Sequence, residues 1–254
     1  GAAVATVFSQ LLSGIACFLF IVKKFPTLHV SRDDMRPRRE YMSKLCGVGV
    51  PMGLQSSITA IGSILLQTSV NALGSMIVAA VTAANRLYSF FACAFDAMAI
   101  AMSTYGGQNM GARKFERLTP GLRSGMIIGT VYSALALVIM FLFGRPLITL
   151  FVDGSETQII DNAYLFMIIN AACFVALAAV NIFRLLIQGM GYSKMAICAG
   201  VMEMFARGIA GLVLVPVFGY IAACFANPFA WVMADVFLVP AYFFIIRHVR
   251  QWGV

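Results

Sequence analysis

The chain divides by its hydrophobic pattern into seven long apolar runs separated by short polar segments. The runs lie at about 2–22, 46–72, 77–105, 121–143, 161–188, 195–216 and 220–246. A helix needs about 20 apolar residues to cross the hydrocarbon layer of a bilayer, since it rises about 1.5 Å per residue. Each run therefore predicts one membrane-spanning helix. The expected fold class is an all-α, multi-pass membrane protein.

The third run carries two ionisable residues, Arg86 and Asp96, and stops at a glycine-rich turn. A charge inside a bilayer-spanning helix costs roughly 2.5–3.5 kcal/mol on insertion scales, so both side chains are expected to face protein or a water-filled cavity. The run of Gly106, Gly107 and Gly111 is expected to end the helix, close to residue 105, because glycine weakens a helix. The basic loop that follows is expected to be cytoplasmic.

Composition excludes a soluble domain, because 61% of the residues are hydrophobic, 11% are charged and the mean hydropathy is +0.90. The net charge of +8 does not indicate nucleic-acid binding, because the basic residues lie between the apolar runs. The six cysteines form no CxxC pair, so neither a disulfide framework nor a metal site is expected. No cofactor is predicted either. The sequence opens inside an apolar run without a Met, which predicts a piece of a longer protein.

The distribution of Lys and Arg predicts the orientation of the spans, since short cytoplasmic loops accumulate these residues. Basic residues concentrate in 23–44, in the loop after the third run, at Lys194 and at the C-terminal end. These regions alternate with connections poor in Lys and Arg, of which 144–160 is acidic. The N-terminus is therefore predicted outside and the C-terminus in the cytoplasm, in a plasma or inner membrane.

The segment 23–44 is the one polar linker of any size, and it contains Pro26 and Pro37. We predict a domain boundary here. Residues 1–22 would be a lone transmembrane helix that belongs to a preceding lobe, 23–44 a basic cytoplasmic linker, and 45–254 a lobe of six transmembrane helices with a short tail.

Glu203 and Arg207 are spaced i, i+4 within the sixth run, so they can pair along one helix face. A neutralised pair is cheaper to bury than either charge alone. The pair is compatible with a purely structural role and with a role in coupling ion movement. Both alternatives remain open.

Asp96 and Asp235 have no opposite charge at helical spacing. Each is expected to find a partner on another helix, with Arg86 and Arg184 as the candidates, or to be protonated. A carboxyl that changes protonation in a cavity is what a proton-coupled carrier requires. The candidates for substrate or ion coupling are the ionisable residues within the apolar runs: Arg86, Asp96, Arg184, Glu203, Arg207 and Asp235.

Uncharged polar residues also lie within the apolar runs. The candidates for a polar cavity are Gln55, Gln67, Asn71, Asn170 and Asn181. Hydrogen bonds between helices and contacts to a ligand explain such residues equally well.

Five segments together resemble the second half of a multidrug and toxic compound extrusion (MATE) transporter. They are GAAVATVFSQ, GVGVPMGLQSS, AANRLYSFFACAFDAMAIAMSTYGGQNMGA, LLIQGMGYSK and VMEMFARGIAG. The turn with Gly107, Gln108, Asn109 and Gly111 is the most specific element. The resemblance implies a twelve-helix fold with two six-helix lobes, and exchange of organic, often cationic, compounds against sodium ions or protons. The first lobe would be absent from this chain.

The sequence departs from relatives that carry an acidic residue in the seventh and in the tenth helix. Here the seventh helix offers Gln55, Gln67 and Asn71, and the tenth offers Asn170, Asn181 and Arg184. Ion coupling is therefore expected to rest on the absent lobe or on Glu203 and Asp235.

The expected partners are a small organic substrate, the lipid bilayer and the preceding lobe. An alternative within transport is a flippase of lipid-linked precursors from the same superfamily, which a long basic groove would favour. A membrane-embedded enzyme would need clustered His, Asp or Ser near a membrane face. His29 and His248 are isolated, so no catalytic residues and no enzyme are predicted.

Overall fold

The computed structural model describes residues 2–25, 36 and 38–252, and within them all regular structure is helical. The helices are α1 Ala2–Lys24, α2 Arg39–Asn71, α3 Ser75–Gly111, α4 Leu118–Ile148, α5 Thr157–Ala172, α6 Phe174–Gly189, α7 Ser193–Ile209, α8 Val215–Phe218 and α9 Tyr220–Trp252. A 3-10 turn, Phe115–Arg117, precedes α4, and a π-helical segment, Ala210–Leu214, joins α7 to α8. The predicted all-α class is confirmed.

Six helical stretches are long and apolar enough to cross a membrane, and a seventh span forms if α5 and α6 are taken together. These two helices meet at an angle of 52°. The bend lies at Cys173, whose backbone departs from helical geometry. The run 161–188 has no proline or glycine at this point, so the bend could not be predicted from the residues. The number of spans agrees with the seven apolar runs.

The chain forms two compact units, 1–47 and 48–254. In the first unit, α1 extends to Lys24 and α2 begins at Arg39, so both ends of the 23–44 segment are helical. Lys44 and Glu40 form an exposed ion pair at 2.7 Å on the first turns of α2. The prolines of this segment, Pro26 and Pro37, and His29 lie outside the described residues.

The glycine pair after the third run does not end the helix, which is a correction to the sequence prediction. Helix α3 continues through Gly106 and Gly107 and ends at Gly111. A Cβ at Gly106 would lie 2.8 Å from the Leu186 side chain, and one at Gly107 would lie 3.2 Å from the Gly189 carbonyl oxygen. These glycines allow close approach of α3 and α6, because a larger residue would push the two backbones apart.

The close packing of α3 against α6 predicts that Gly189→Ala is far more destabilising than Gly208→Ala, a substitution at a site with more space. At Gly189 an added Cβ would overlap the backbone of Ser103, whereas at Gly208 it would meet only the Leu65 methyl at 3.9 Å. We expect Gly189→Ala to lower the free energy of unfolding by at least about 2 kcal/mol, because overpacking against backbone is hard to relieve. Gly208→Ala should be neutral or slightly stabilising. Thermal unfolding of the purified protein in detergent measures both, and equal midpoints would contradict the packing.

Hydrogen bonds between residues close in sequence stabilise the GQNMGA turn, residues 107–112. The Asn109 side chain donates to the Tyr105 carbonyl oxygen at 2.8 Å, and the Lys114 amide donates to the Asn109 carbonyl oxygen at 2.9 Å. The Tyr105 hydroxyl donates to the Arg117 carbonyl oxygen at 2.8 Å. Gln108 and Gly111 complete the last helical turn, where the Ala112 amide donates to the Gln108 carbonyl oxygen at 3.0 Å. These contacts support a structural role for the turn.

The connection between α4 and α5 contains Asp153, which lies outside the spans. Its carboxylate accepts hydrogen bonds from the Ser155 amide at 3.0 Å and from the Ser155 hydroxyl at 2.9 Å. These bonds stabilise the ionised form, so they hold the pKa of Asp153 below its usual value. Nearby, Arg145 and Asp161 form an exposed ion pair at 3.0 Å.

Candidate functional site: a buried charge cluster beside two polar cavities

The charged centre of the second unit is Glu203 on α7, which lies between two arginines. Arg207, one turn later on the same helix, donates from Nη1 to Glu203 Oε2 at 3.2 Å. Arg184 on α6 forms an ion pair with Oε1 of the same carboxylate. The three side chains are only 3–10% exposed. The predicted Glu203–Arg207 pair is confirmed, and the structure adds Arg184 as a second partner.

This arrangement, called the Glu203 triad below, carries two guanidinium groups and one carboxylate. Each guanidinium has five N–H donors in a planar fork, and a buried charge is tolerated when its donors are used. The Nε atom of Arg184 is buried without a hydrogen-bond partner. Arg207 donates from Nε to the Asn227 side-chain oxygen at 3.4 Å. Because it contains two guanidinium groups and one ionised carboxylate, the triad taken alone has one surplus positive charge.

The two aspartates do not form the ion pairs that the sequence suggested. Asp235 on α9 is half-buried, and its Oδ1 atom is buried without a hydrogen-bond partner. It lies close enough to Arg184 for a charge–charge interaction. Within the described part of the chain, neither Asp235 nor Asp96 has a Lys or Arg nitrogen within 4.0 Å, and Arg184 pairs with Glu203 instead. The predicted ion pairs are thus corrected, and protonation, the other alternative, stays a prediction.

The ionisable residues of α3 lie on an exposed face of that helix. Arg86 and Asp96 are both exposed within residues 48–254. Asp96 lies at the wall of a cavity that Arg184 also lines, whereas Arg86 is not among the residues that line this cavity. Inside this unit, the expectation of a cavity-facing side chain is therefore met by Asp96 and not by Arg86.

Two polar cavities adjoin the triad. The smaller has a volume of about 290 Å³ and the larger about 350 Å³, and their walls share Tyr88, Ser89 and Arg207. The smaller also includes Asp96, Asn181, Arg184, Glu203 and Trp231. Polar groups in the wall of the larger are Ser63, Gln67, Asn85 and Asn227. The charges of the triad are thus accessible from a polar space inside a set of membrane-spanning helices.

Aromatic rings support one side of these cavities. Tyr88 on α3 stacks against Trp231 on α9, with ring centroids 6.1 Å apart and planes inclined by 11°. Phe174, at the start of α6, packs beside both rings at 6.0 and 6.4 Å. Such contacts fix the relative positions of α3, α6 and α9. The sequence contained no spacing signal that would have singled out Tyr88 or Trp231.

Three of the predicted cavity residues lie at or near the cavities. Gln67 lines the larger cavity and Asn181 the smaller. The side chain of Gln67 donates to the Asn71 side-chain oxygen at 2.9 Å, so Asn71 orients Gln67 along the helix face. The i, i+4 spacing seen in the sequence accounts for this pair.

The other two predicted cavity residues are buried between helices. Gln55 on α2 accepts a hydrogen bond from the Gln188 side chain on α6 at 3.4 Å. Asn170 on α5 donates to the Cys224 carbonyl oxygen on α9 at 3.3 Å. These residues connect helices, which is the other explanation that the sequence left open. Asn227, which accepts a hydrogen bond from Arg207, was missed because an isolated amide in an apolar run carries no pattern.

The MatE family model matches residues 51–221, which is more than half of the chain. The chain belongs to the MatE family. This match confirms the resemblance that the five sequence motifs indicated. The Glu203 triad and both cavities of this MatE chain lie within residues 48–254, so they are features of its second structural unit.

Curated relatives of this MatE chain carry transporter or drug-resistance names. The probable multidrug resistance protein YoeA of Bacillus subtilis (strain 168) is 24% identical over 168 residues, which are 65% of this chain and 36% of the relative. The FAD transporter of Shewanella oneidensis is 25% identical over 184 residues, 72% of this chain and 40% of that protein. The matched part of the chain spans less than half the length of these relatives.

A solved structure shows the same fold. The crystal structure of MATE in complex with MaL6 superposes with a TM-score of 0.88 at 20% sequence identity, over 99% of this chain and 57% of that chain. At this level of identity the likeness concerns the fold alone. Together with the apolar spans, it shows a multi-pass membrane protein of a transporter family.

Proposed function

We propose that this chain is the C-terminal half of a secondary active antiporter that exports organic, often cationic, compounds in exchange for sodium ions or protons. The observation that carries the proposal is a set of acidic and basic side chains buried beside polar cavities within membrane spans. Ionisable groups at such depth are costly and typically mark ion or substrate pathways. Alternating access of two lobes around a central site would move the compound across the bilayer.

Asp235 is the residue that we assign to ion coupling first. Its buried Oδ1 atom has no hydrogen-bond donor, so a sodium ion or a proton would satisfy it. Glu203 already receives two guanidinium groups, so we assign the Glu203 triad to holding α6 and α7 together. Asp96 and Arg86, on the exposed face of α3, would face the space between the two lobes.

The remaining parts of the proposal concern topology and partners. The chain would lie in a plasma or inner membrane with its first residue outside and its C-terminus in the cytoplasm, as the distribution of Lys and Arg predicts. Residues 1–22 would complete the preceding lobe, 23–44 would link the lobes and 45–254 would form the second lobe. Its partners would be that lobe, the bilayer and a small organic substrate.

The test is efflux of a fluorescent organic cation from cells that express the complete gene. A proton gradient and a sodium gradient are imposed separately, with membrane abundance measured in parallel. We expect efflux that depends on one of the two gradients, which would also identify the coupling ion. Absence of efflux under both gradients, with the protein present in the membrane, would contradict the antiporter and favour the lipid-precursor flippase.

A further inference from the structure

Arg207 is a buried arginine whose donors are only partly used. Its side chain is 9% exposed, its Nη1 atom binds Glu203, and its Nε atom binds Asn227 through a long contact of 3.4 Å. Among the described residues, none accepts a hydrogen bond from its third nitrogen, Nη2. A guanidinium with free donors in a water-poor site is a strong receptor for a planar or tetrahedral oxyanion.

The two cavities beside Arg207 differ in charge. The wall of the smaller cavity contains two arginines, Arg184 and Arg207, and two acids, Asp96 and Glu203. Its charges therefore balance when both acids are ionised. In the wall of the larger, Arg207 is the one charged side chain within the described part of the chain. Glu203, the partner of Arg207, does not line this cavity, so the charge that Arg207 presents to it has no acidic neighbour in the same wall.

The other polar groups of the larger cavity complement an anion. Asn85, Gln67 and Asn227 contribute amide groups. Amide N–H groups donate hydrogen bonds to carboxylate and phosphate oxygens. Tyr88 and Phe166 add aromatic surface that suits an apolar or aromatic body attached to the anion. The volume of about 350 Å³ is within the range of small-ligand sites.

We propose that the larger cavity binds an anionic oxygen group, a carboxylate or a phosphate, of the compound that the transporter moves. This proposal rests on the proposed transport function and narrows its substrate class to compounds with an anionic group, zwitterions included. Arg207 contacts the anion through Nη2, while Asn85 and Gln67 donate to its oxygens. The anion could belong to a soluble organic compound or to a lipid headgroup, since both present the same oxygens.

The test compares two probes of similar size and opposite charge, phenyl phosphate and phenyltrimethylammonium. Their dissociation constants are measured by calorimetry on the complete transporter in phosphatidylcholine nanodiscs. We expect the wild type to bind phenyl phosphate more tightly. Arg207→Gln should weaken that binding roughly ten- to hundredfold, because a hydrogen bond to a charged group is lost, and should leave phenyltrimethylammonium unaffected or slightly tighter. Arg207→Lys should retain part of the affinity, since it keeps the charge but loses the fork.

Two further variants keep the result interpretable. Arg145→Gln removes an exposed arginine outside the cavity and should bind phenyl phosphate as the wild type does. Asn85→Leu replaces a polar group of the larger cavity by an apolar one and keeps all three residues of the Glu203 triad, so it should weaken phenyl phosphate binding even if Arg207→Gln fails to fold. Wild-type affinity in both Arg207→Gln and Asn85→Leu would overturn the proposal.

A second set of binding measurements, with an anionic lipid present, distinguishes the two sources of the anion. Nanodiscs that contain phosphatidylglycerol are compared with phosphatidylcholine alone. Competition of phosphatidylglycerol with phenyl phosphate in the wild type, absent in Arg207→Gln, indicates a headgroup site. No competition indicates a soluble organic anion. Binding of neither phenyl phosphate nor phosphatidylglycerol overturns the proposal.

The binding experiment needs no ion gradient, so it is independent of the efflux test. Gradient-driven efflux without any anion binding would contradict only the anion site. Anion binding without gradient-driven efflux of any probe would contradict only the antiporter.

Discussion

Replacement of Glu203 by Gln is expected to reduce the stability of the complete transporter by about 3–5 kcal/mol, the range typical for breaking a buried ion pair from one side. The substitution removes the carboxylate that both Arg184 and Arg207 contact, and it leaves two guanidinium groups in a site where the side chains are at most 10% exposed. Neutral Gln can accept hydrogen bonds but cannot compensate either charge. Thermal unfolding in detergent should show a large fall in the midpoint temperature.

Two comparisons separate this effect from a general loss of charge. Arg184→Gln should cost less than Glu203→Gln, because it leaves one carboxylate paired with one guanidinium. Glu40→Gln breaks a pair with the same i, i+4 spacing, but the Glu40 and Lys44 side chains are 72% and 70% exposed, so its effect should be small. If Glu203→Gln unfolded at the wild-type temperature, the triad would not hold the helices together.

Asp235→Asn is expected to reduce gradient-driven efflux to the rate seen without a gradient, with normal abundance in the membrane. Asn has nearly the shape of Asp, and the buried Oδ1 atom of Asp235 accepts no hydrogen bond that folding would lose. However, an amide neither takes up and releases a proton nor binds a sodium ion as strongly as a carboxylate. The measurement is efflux under separate proton and sodium gradients.

The matched control for Asp235 is Asp161→Asn. Asp161 pairs with Arg145 on an exposed surface, where the side chains are 56% and 63% exposed. Removal of that charge should leave efflux unchanged. Wild-type efflux in Asp235→Asn would exclude Asp235 from coupling and direct attention to Asp96 or to residues of the preceding lobe.

The sequence predicted the helical spans well because their signal is local. A run of about 20 apolar residues has few alternatives to a membrane-spanning helix, since backbone polar groups must be satisfied inside the segment. The i, i+4 pairs Glu203–Arg207 and Gln67–Asn71 were predictable for the same reason: one helix contains both partners. Family membership followed from short motifs in a fixed order, which the match to residues 51–221 confirms.

Glycine was harder to interpret, because its local and tertiary effects are opposite. Judged by helix propensity, Gly106 and Gly107 predicted the end of α3. In the structure they lie within α3, where the absence of a Cβ lets α6 approach. Packing energy between two helices outweighs a propensity cost of about 1 kcal/mol per residue.

What the sequence alone determined is the set of membrane spans, the local charge pairs and the family. Only the tertiary structure decided which charges meet. It placed Arg184 of α6 on Glu203 of α7, left an oxygen of Asp235 without a donor and brought Arg207 to the wall of an otherwise uncharged cavity. The physical reason is that these contacts join residues from different helices. Their distances depend on how the helices bend and pack, and the hydrophobic pattern of one helix contains no information about the side chains of the next.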